Sequence, residues 1–460
     1  MLSFTFIRTK KCGNRHNCAI LYPMKRQIFK NLQQWKQDRS RKPLILKGAR
    51  QVGKTYILTA FGQSEYDDTA YFNFESSPQL HSLFSGSLKP QDIIKILSIE
   101  RSAEIKPKKT LIIFDEIQEC PDALNSLKYF HETAGDYHIC AAGSLLGVTL
   151  AKGKGFPVGK VDFLTLYPLS FDEFLQARGD DSLIQYMEDI NTIEPLPDML
   201  HEKILALFKE YTYTGGMPAA VLDYCESEDF KRIEVVKNSI LEAYRLDFAK
   251  HAPQNIIMKI NQVWSSIPGQ LARENKKFLY SAIRKGARAQ EFEIAIQWLV
   301  EAGLIHKAYN ISTPKLPVNA YANHDIFKVY LADTGLLGAM SGLSAKAIIH
   351  GNELFQEFKG AILENYVAQE LVRQGNDLFY WTSAGQAELD FILQHDDIVF
   401  PIEVKSGVSS KKKSLLSYME KYQPRLGIRV SPMNLKQDGM ILNCPLYLLE
   451  KLGKLIEMAM

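Results

Sequence analysis

The strongest chemical signal in the chain is an eight-residue run, Gly48-Ala49-Arg50-Gln51-Val52-Gly53-Lys54-Thr55, of the form G-x-x-x-x-G-K-T. Glycines let a backbone curl so that successive N–H groups face one anion. A helix starting where the run ends adds the positive end of its dipole to the same place. In that setting Lys54 meets the β- and γ-phosphates and Thr55 offers a hydroxyl to magnesium. The competing reading is a plain strand-to-helix turn, and a second run weighs against it. Thr110-Leu111-Ile112-Ile113-Phe114-Asp115-Glu116 reads as a buried strand ending in two carboxylates. A hard cation beside a triphosphate needs a carboxylate at such a place, which suits Asp115. Glu116, next along, is the candidate general base for the attacking water. A third run, from Tyr137 to Ala142, leads into Gly143-Ser144. On a strand expected between the other two, Ser144 could sense the γ-phosphate; an ordinary turn serine is the alternative. The chain has no N-K-x-D sequence of the kind that reads guanine, which favours ATP over GTP. The expected ligands are therefore ATP and Mg2+.

A second constellation lies near the C-terminus. Asp390 follows Ala387-Glu388-Leu389, and Glu403-Val404-Lys405 closes the next apolar run. Strand alternation puts Glu403 and Lys405 on one face. Asp390 joins them if the two strands pair, and Glu364, on the preceding helix, could complete the set. Two or three carboxylates gather Mg2+ or Mn2+, while a lysine orients water at a phosphodiester. The set resembles the PD-(D/E)xK nuclease constellation, with Gln369 and Glu370 as neighbours and Ser406-Gly407 and Lys411–Lys413 facing a nucleic-acid backbone. Against this stands an ordinary Glu403–Lys405 surface pair in a nuclease-like fold that does not cleave.

The elements that must position these residues follow from periodicity. From Pro43 to about Arg178, short apolar runs (Leu44–Leu46, Ala70–Phe74, Leu111–Phe114, His138–Ala142, Val161–Leu166) alternate with helical patterns. That alternation predicts a parallel sheet covered on both faces. From Asp181 to Ala345 helices dominate. Within that stretch, residues 255–310 read like a winged helix, with Lys276, Lys277, Arg284, Lys285 and Arg288 placed to meet nucleic-acid phosphate or, in the favoured reading, forming a solvated basic face on a helical packing module. The remainder reads helix, three strands, polar turn, helix. The expected fold class is α/β: an AAA-type P-loop ATPase domain with a parallel sheet, then a helical or winged-helix region, then an α/β restriction-endonuclease-like domain. The expected bounds are 24–185, 186–345 and 346–460, after a 1–23 extension that does not share the pattern and suggests either a flexible tail or a start at Met24.

Together these segments resemble a known family, the AAA-superfamily ATPases predicted in bacteria and archaea that carry a C-terminal domain of unknown function. The likeness is carried by Lys47–Thr55, Phe114–Gln118, Gly143-Ser144, Tyr167–Phe174, Gly215-Gly216-Met217-Pro218, Asp333–Leu337 and Pro401–Gly407, over nearly the whole chain after Met24. It implies an additional-strand P-loop ATPase with Lys54 and Thr55 on phosphate and magnesium, Asp115 on magnesium and Glu116 catalytic. It assigns no cellular role and no arginine finger; Arg178 and Arg245 are candidates, and a finger from a neighbouring copy would tie turnover to oligomerisation.

Composition bounds the rest. With 460 residues, 46% hydrophobic and 23% charged, the chain has the profile of an ordinary globular protein of about three domains. A net charge of +3 does not point to nucleic acid by itself. No apolar run approaches the roughly 18 residues that would span a bilayer, so no membrane partner is expected. Six scattered cysteines suit reduced thiols in the cytoplasm, and Cys12, His16 and Cys18 make only a poor zinc set. The expected function is ATP hydrolysis coupled to an output domain that acts on DNA or RNA. The alternative is a nucleotide-dependent switch or scaffold for a protein partner, with the nuclease-like domain inert.

Overall fold

The computed structural model describes residues 8–9, 19–20, 24–86, 88–144, 158–273, 276–350, 356–383, 387–407 and 413–460. Cys12, His16, Cys18, the question of Met1 against Met24, and Lys411 and Lys412 lie outside the described residues. The chain forms two compact units, one holding Lys25–Tyr167 with Glu301–Gly303, the other Pro168–Val300 and Leu304–Met460.

In the first unit five strands, β1 (Leu44–Lys47), β2 (Asp68–Asn73), β3 (Thr110–Asp115), β4 (His138–Ala142) and β5 (Asp162–Thr165), form one sheet in the order β2-β3-β4-β1-β5. Every pairing is parallel. A parallel neighbour requires a crossover, and helices α1 (Ile28–Gln37), α2 (Lys54–Glu65), α3 (Leu80–Gly86), α4 (Pro90–Glu100) and α5 (Pro121–Thr133) alternate with the strands. β3 and β4 are buried along their whole length, as the unbroken apolar runs require. Phe72, Phe74, Phe84 and Phe114 interlock edge to face in the core. β4 lies between β1 and β3, so the loops after these three strands open onto one edge of the sheet, where α/β proteins hold ligands.

The second unit is helical up to Leu271 and then joins helices to a mixed sheet. Its first helix, Phe171–Arg178, starts at a reciprocal cap: Ser170 Oγ accepts from Glu173 N–H at 3.1 Å, and Ser170 N–H donates to Glu173 Oε2 at 3.0 Å. Gly179, at φ 86°, ends it. Eight strands follow: β6 (Ile305–Ile311), β7 (Ala322–Leu331), β8 (Leu378–Thr382), β9 (Glu388–His395), β10 (Ile398–Val404), β11 (Gly427–Ser431), β12 (Lys436–Asp438) and β13 (Ile441–Pro445). Their order is β12-β13-β11-β10-β9-β8-β6-β7. β6, which the periodicity groups with the winged-helix segment, and its partner β7 therefore belong to the same sheet as the C-terminal strands, through a parallel β6–β8 pairing. Such a pairing joins residues about seventy apart and leaves no trace in local periodicity. Among the described residues no helix is long and apolar enough to cross a membrane.

Candidate functional site

β1 runs directly into the glycine-bearing loop, and α2 begins at Lys54. Gly48 has φ 146°; a Cβ there would stand 2.2 Å from the Leu166 carbonyl oxygen and 3.2 Å from Val52 Cγ2, so only glycine fits. Gly53, at φ 95°, sits at the N-cap of α2 and turns the last loop amides toward the helix start. Lys54 is only 7% exposed, and its Nζ donates to the Gly48 and Ala49 carbonyls, both at 2.9 Å. The cation is folded back on its own loop. Exchanging neutral carbonyls for phosphate oxygens would give it stronger, charge-assisted hydrogen bonds.

At the neighbouring strand end, Thr55 Oγ1 donates to Asp115 Oδ2 at 2.8 Å. The same oxygen accepts from the Tyr71 hydroxyl at 2.6 Å, and Asp115 Oδ1 accepts from Glu116 N–H at 3.1 Å. Asp115 is 3% exposed. A hydroxyl and a carboxylate, already adjacent beside a phosphate-shaped loop, are the hard oxygen donors that magnesium prefers, so these residues fit that ion. Burial first, and then the Asp115 carboxylate, push the Tyr71 phenol well above its ordinary range, so it stays a donor. Glu116 has left-handed backbone, φ 50°, which is uncommon outside glycine and asparagine and accompanies functional sites. Its Oε2 accepts from Gln118 Nε2 at 2.6 Å. Ser144, buried, lies two residues past the end of β4, at the same sheet edge.

Arg26 and Tyr71 lie outside every motif, and Gln118 closes the segment Phe114–Gln118 without an assigned role. Arg26, before α1, is 6% exposed; its guanidinium donates to the Val52 carbonyl at 3.1 Å and to the Tyr167 carbonyl at 2.5 Å, tying the loop to the segment after β5. Tyr71 and Gln118 hold the two carboxylates. Tyr71 carries a weak signal, a polar tip next to Ala70 and Phe72 in an otherwise apolar run.

The second unit gathers the other predicted residues differently from the expected metal set. Glu364, buried on the helix Gln356–Arg373, takes the Tyr330 hydroxyl at 2.5 Å and Lys328 Nζ at 3.1 Å on Oε1, and Lys276 on Oε2. Lys328 also reaches Glu388 Oε1 at 2.7 Å. Asp390 Oδ2 accepts from Val404 N–H at 2.7 Å; burial, and then the charge of Glu364, push its carboxyl up to about 7. Lys405 pairs with Glu403 Oε1 at 2.6 Å, while Glu403 Oε2 is buried with no hydrogen-bond partner among the described residues. Glu370 is bound to Arg373, which also meets Glu450 at 2.8 Å; Gln369 accepts from Thr334 N–H and donates to the Tyr211 hydroxyl. Both are structural ties rather than site lining. Among the described residues no three Asp, Glu, His or Cys side chains stand together as a metal requires. Arg178 is bound by Asp180, Glu210 and the Tyr224 hydroxyl, and Arg245 lies at the surface 3.7 Å from Glu242. Arg284 pairs with Glu291 at 2.8 Å, and Arg284, Lys285 and Arg288 are the exposed members of the basic set.

Residues 40–175 match the family model described as an AAA domain. By that match they are similar to AAA domains. Residues 205–347 and 359–447 match two models described as domains of unknown function, DUF8612 and DUF4143. No curated relative matches the chain. Among solved structures, the Walker-type ATPase PABY2304 of Pyrococcus abyssi is 14% identical, covering 68% of this chain and 94% of its own, at a TM-score of 0.41. AMPPCP-bound DnaA from Aquifex aeolicus is 12% identical over 60% and 86%, at 0.26. Cdc6p from Pyrobaculum aerophilum is 13% identical over 70% and 94%, at 0.23. Likenesses this distant carry no argument, and the assignment rests on the family match. The matched segment spans the glycine loop, Asp115, Glu116 and Ser144, whereas Arg26 lies before it.

Proposed function

We propose that this chain hydrolyses ATP with magnesium at the edge of the five-stranded sheet. The observation that carries the reading is the Thr55–Asp115 contact at 2.8 Å beside a loop only glycine can build. In this reading the amides from Gly48, Ala49, Arg50, Gln51, Val52 and Gly53 surround the phosphates, and Lys54 leaves the Gly48 and Ala49 carbonyls to reach them. Thr55 and Asp115 hold the magnesium, which supplies charge neutralisation to the phosphate oxygens when bound. Gln118 holds Glu116 Oε2, so Oε1 takes the proton from the attacking water. Ser144 reads the γ-phosphate. Lys54→Ala is expected to abolish binding of a fluorescent ATP analogue; retained binding would overturn the assignment. Buried free thiols at Cys120, Cys140 and Cys444 suit a reducing cytoplasm.

The second unit serves as the output. A nucleic-acid role is supported by the strand order β8-β9-β10-β11 after the helix Gln356–Arg373, and by the exposed Lys285, Arg288 and half-exposed Lys405. The protein-scaffold reading is supported by a different observation, the lysines bound within the carboxylate cluster. Incubation of the full chain with plasmid, linear DNA or RNA, with Mg2+ or Mn2+ and with or without ATP, separates them. If neither the parent nor Lys405→Ala binds or cuts any polymer, the nucleic-acid role fails.

A further inference from the structure

The nuclease-like reading, on which this inference rests, places a divalent cation among Glu364, Asp390 and Glu403, and the side chains around Glu364 do not fit one. We infer that Lys328 stands in for that cation as a tethered ammonium, so that the carboxylate cluster of the second unit is independent of metal.

The argument begins with the strand. Lys328 lies on β7, outside the helix–strand–strand–strand segment that holds the carboxylates, and its direct antiparallel partner on β6 is Ala308. Directly opposed residues share a face, and a small, fully buried alanine leaves room for the lysine stem to lie across the sheet. The stem passes over β8, where the ammonium stands 4.8 Å from the centre of the Tyr380 ring. It ends between Glu364 Oε1, at 3.1 Å, and Glu388 Oε1, at 2.7 Å. Tyr330, two residues on and therefore on the same face, sends its hydroxyl to the same Glu364 oxygen.

The side chain of Lys328 is fully buried at 0% exposure. An ammonium so placed persists only with anionic partners, and the two carboxylates and the aromatic face provide them. Lys276 binds the other oxygen of Glu364, so both oxygens of the helix carboxylate are taken by cations from the chain itself. Two ammonium groups supply the charge one divalent ion would bring. Among the described residues, Glu403 Oε2 is a buried acceptor of this set with no hydrogen-bond partner.

The test is a manganese titration of the nucleotide-free full chain, read by the electron paramagnetic resonance signal of free Mn2+. The parent is expected to take up no more Mn2+ than Glu364→Gln or Glu403→Gln. Lys328→Met is expected to bind one additional Mn2+ per chain, at least tenfold tighter than the parent, and to lose it in the double variant with Glu364→Gln. Parent binding that disappears in Glu364→Gln or Glu403→Gln overturns the inference and leaves the nuclease-like reading standing. If Lys328→Met folds and still binds nothing beyond the parent, the cluster is not a cation position and both fall together. Should Lys328→Met fail to fold, thermal unfolding of the parent decides: no Mn2+-dependent rise in Tm beyond that of Glu364→Gln supports the inference, and a rise that Glu364→Gln abolishes overturns it.

Discussion

Arg26 offers the sharpest test of how the phosphate loop is held. Its guanidinium forks between the Val52 carbonyl inside the loop and the Tyr167 carbonyl beyond β5. Lysine keeps the charge but presents one compact ammonium, which cannot span two acceptors in that fixed geometry. Arg26→Lys therefore removes at least one hydrogen bond from a charged, buried donor, a loss of about 1.5–3 kcal/mol. If that energy holds Val52 in the conformation that turns the loop amides inward, ATP must supply it on binding, and affinity falls roughly 10- to 150-fold at about 1.4 kcal/mol per factor of ten. The assay is equilibrium binding of a fluorescent ATP analogue, with a thermal melt of the same preparation. A lowered Tm with parent-like affinity would show that Arg26 braces the unit without shaping the loop, and the reasoning would be refuted.

Glu116→Gln is expected to bind ATP like the parent while kcat drops by about 10^2- to 10^4-fold, the usual reach of a general base; near-normal single-turnover hydrolysis would remove Glu116 from that role. Gly216→Ala should destabilise the second unit by about 2–4 kcal/mol in denaturant unfolding, because its Cβ would stand 2.2 Å from the Leu169 carbonyl and displace the Leu169–Gly216 and Gly216–Asp333 hydrogen bonds, each 2.6 Å. His138, buried against Tyr66, has its imidazole pushed down to about 4 by burial and then by the charges of Arg41 and Lys36. The unfolded chain takes up this proton near its ordinary pKa and the folded chain only near 4, so stability is complete above about 6.5 and is lost as pH falls toward 4. His138→Asn should flatten the dependence of Tm on pH over that window; an unchanged slope would exclude His138 as its source.

The first unit was largely legible because its chemistry is local. Gly48 to Thr55 and Asp115-Glu116 lie on short runs whose order along the chain already implies strand, loop, helix and strand, and the expected place of β4 between β1 and β3 matches the sheet. Arg26 was not legible, since nothing in a lone arginine before a helix says which carbonyls it will reach from 26 and 141 residues away. Lys328 was hidden for a related reason. In Phe327-Lys328-Val329-Tyr330-Leu331 it looks like a solvated residue on a half-buried strand, and only the β6–β8 pairing turns that face inward toward Glu364. The pair Gly215-Gly216 stood out as a motif, but its partner Asp333 is 117 residues downstream of Gly216. Long-range register decided each of these cases, and register is a property of the assembled sheet.

The turn Glu301–Gly303 belongs to the first unit although more than 130 residues separate it from Tyr167. Gly303, at φ 71°, is packed so that a Cβ would stand 3.4 Å from the Ala49 amide nitrogen. The first unit is thus discontinuous along the chain. A single recombination crossover after the codon for Tyr167 would pass on the glycine loop without the turn packed against Ala49. An engineered transplant of residues 25–167 alone would leave Ala49 without its Gly303 neighbour, a contact whose loss the stability of the isolated piece would report.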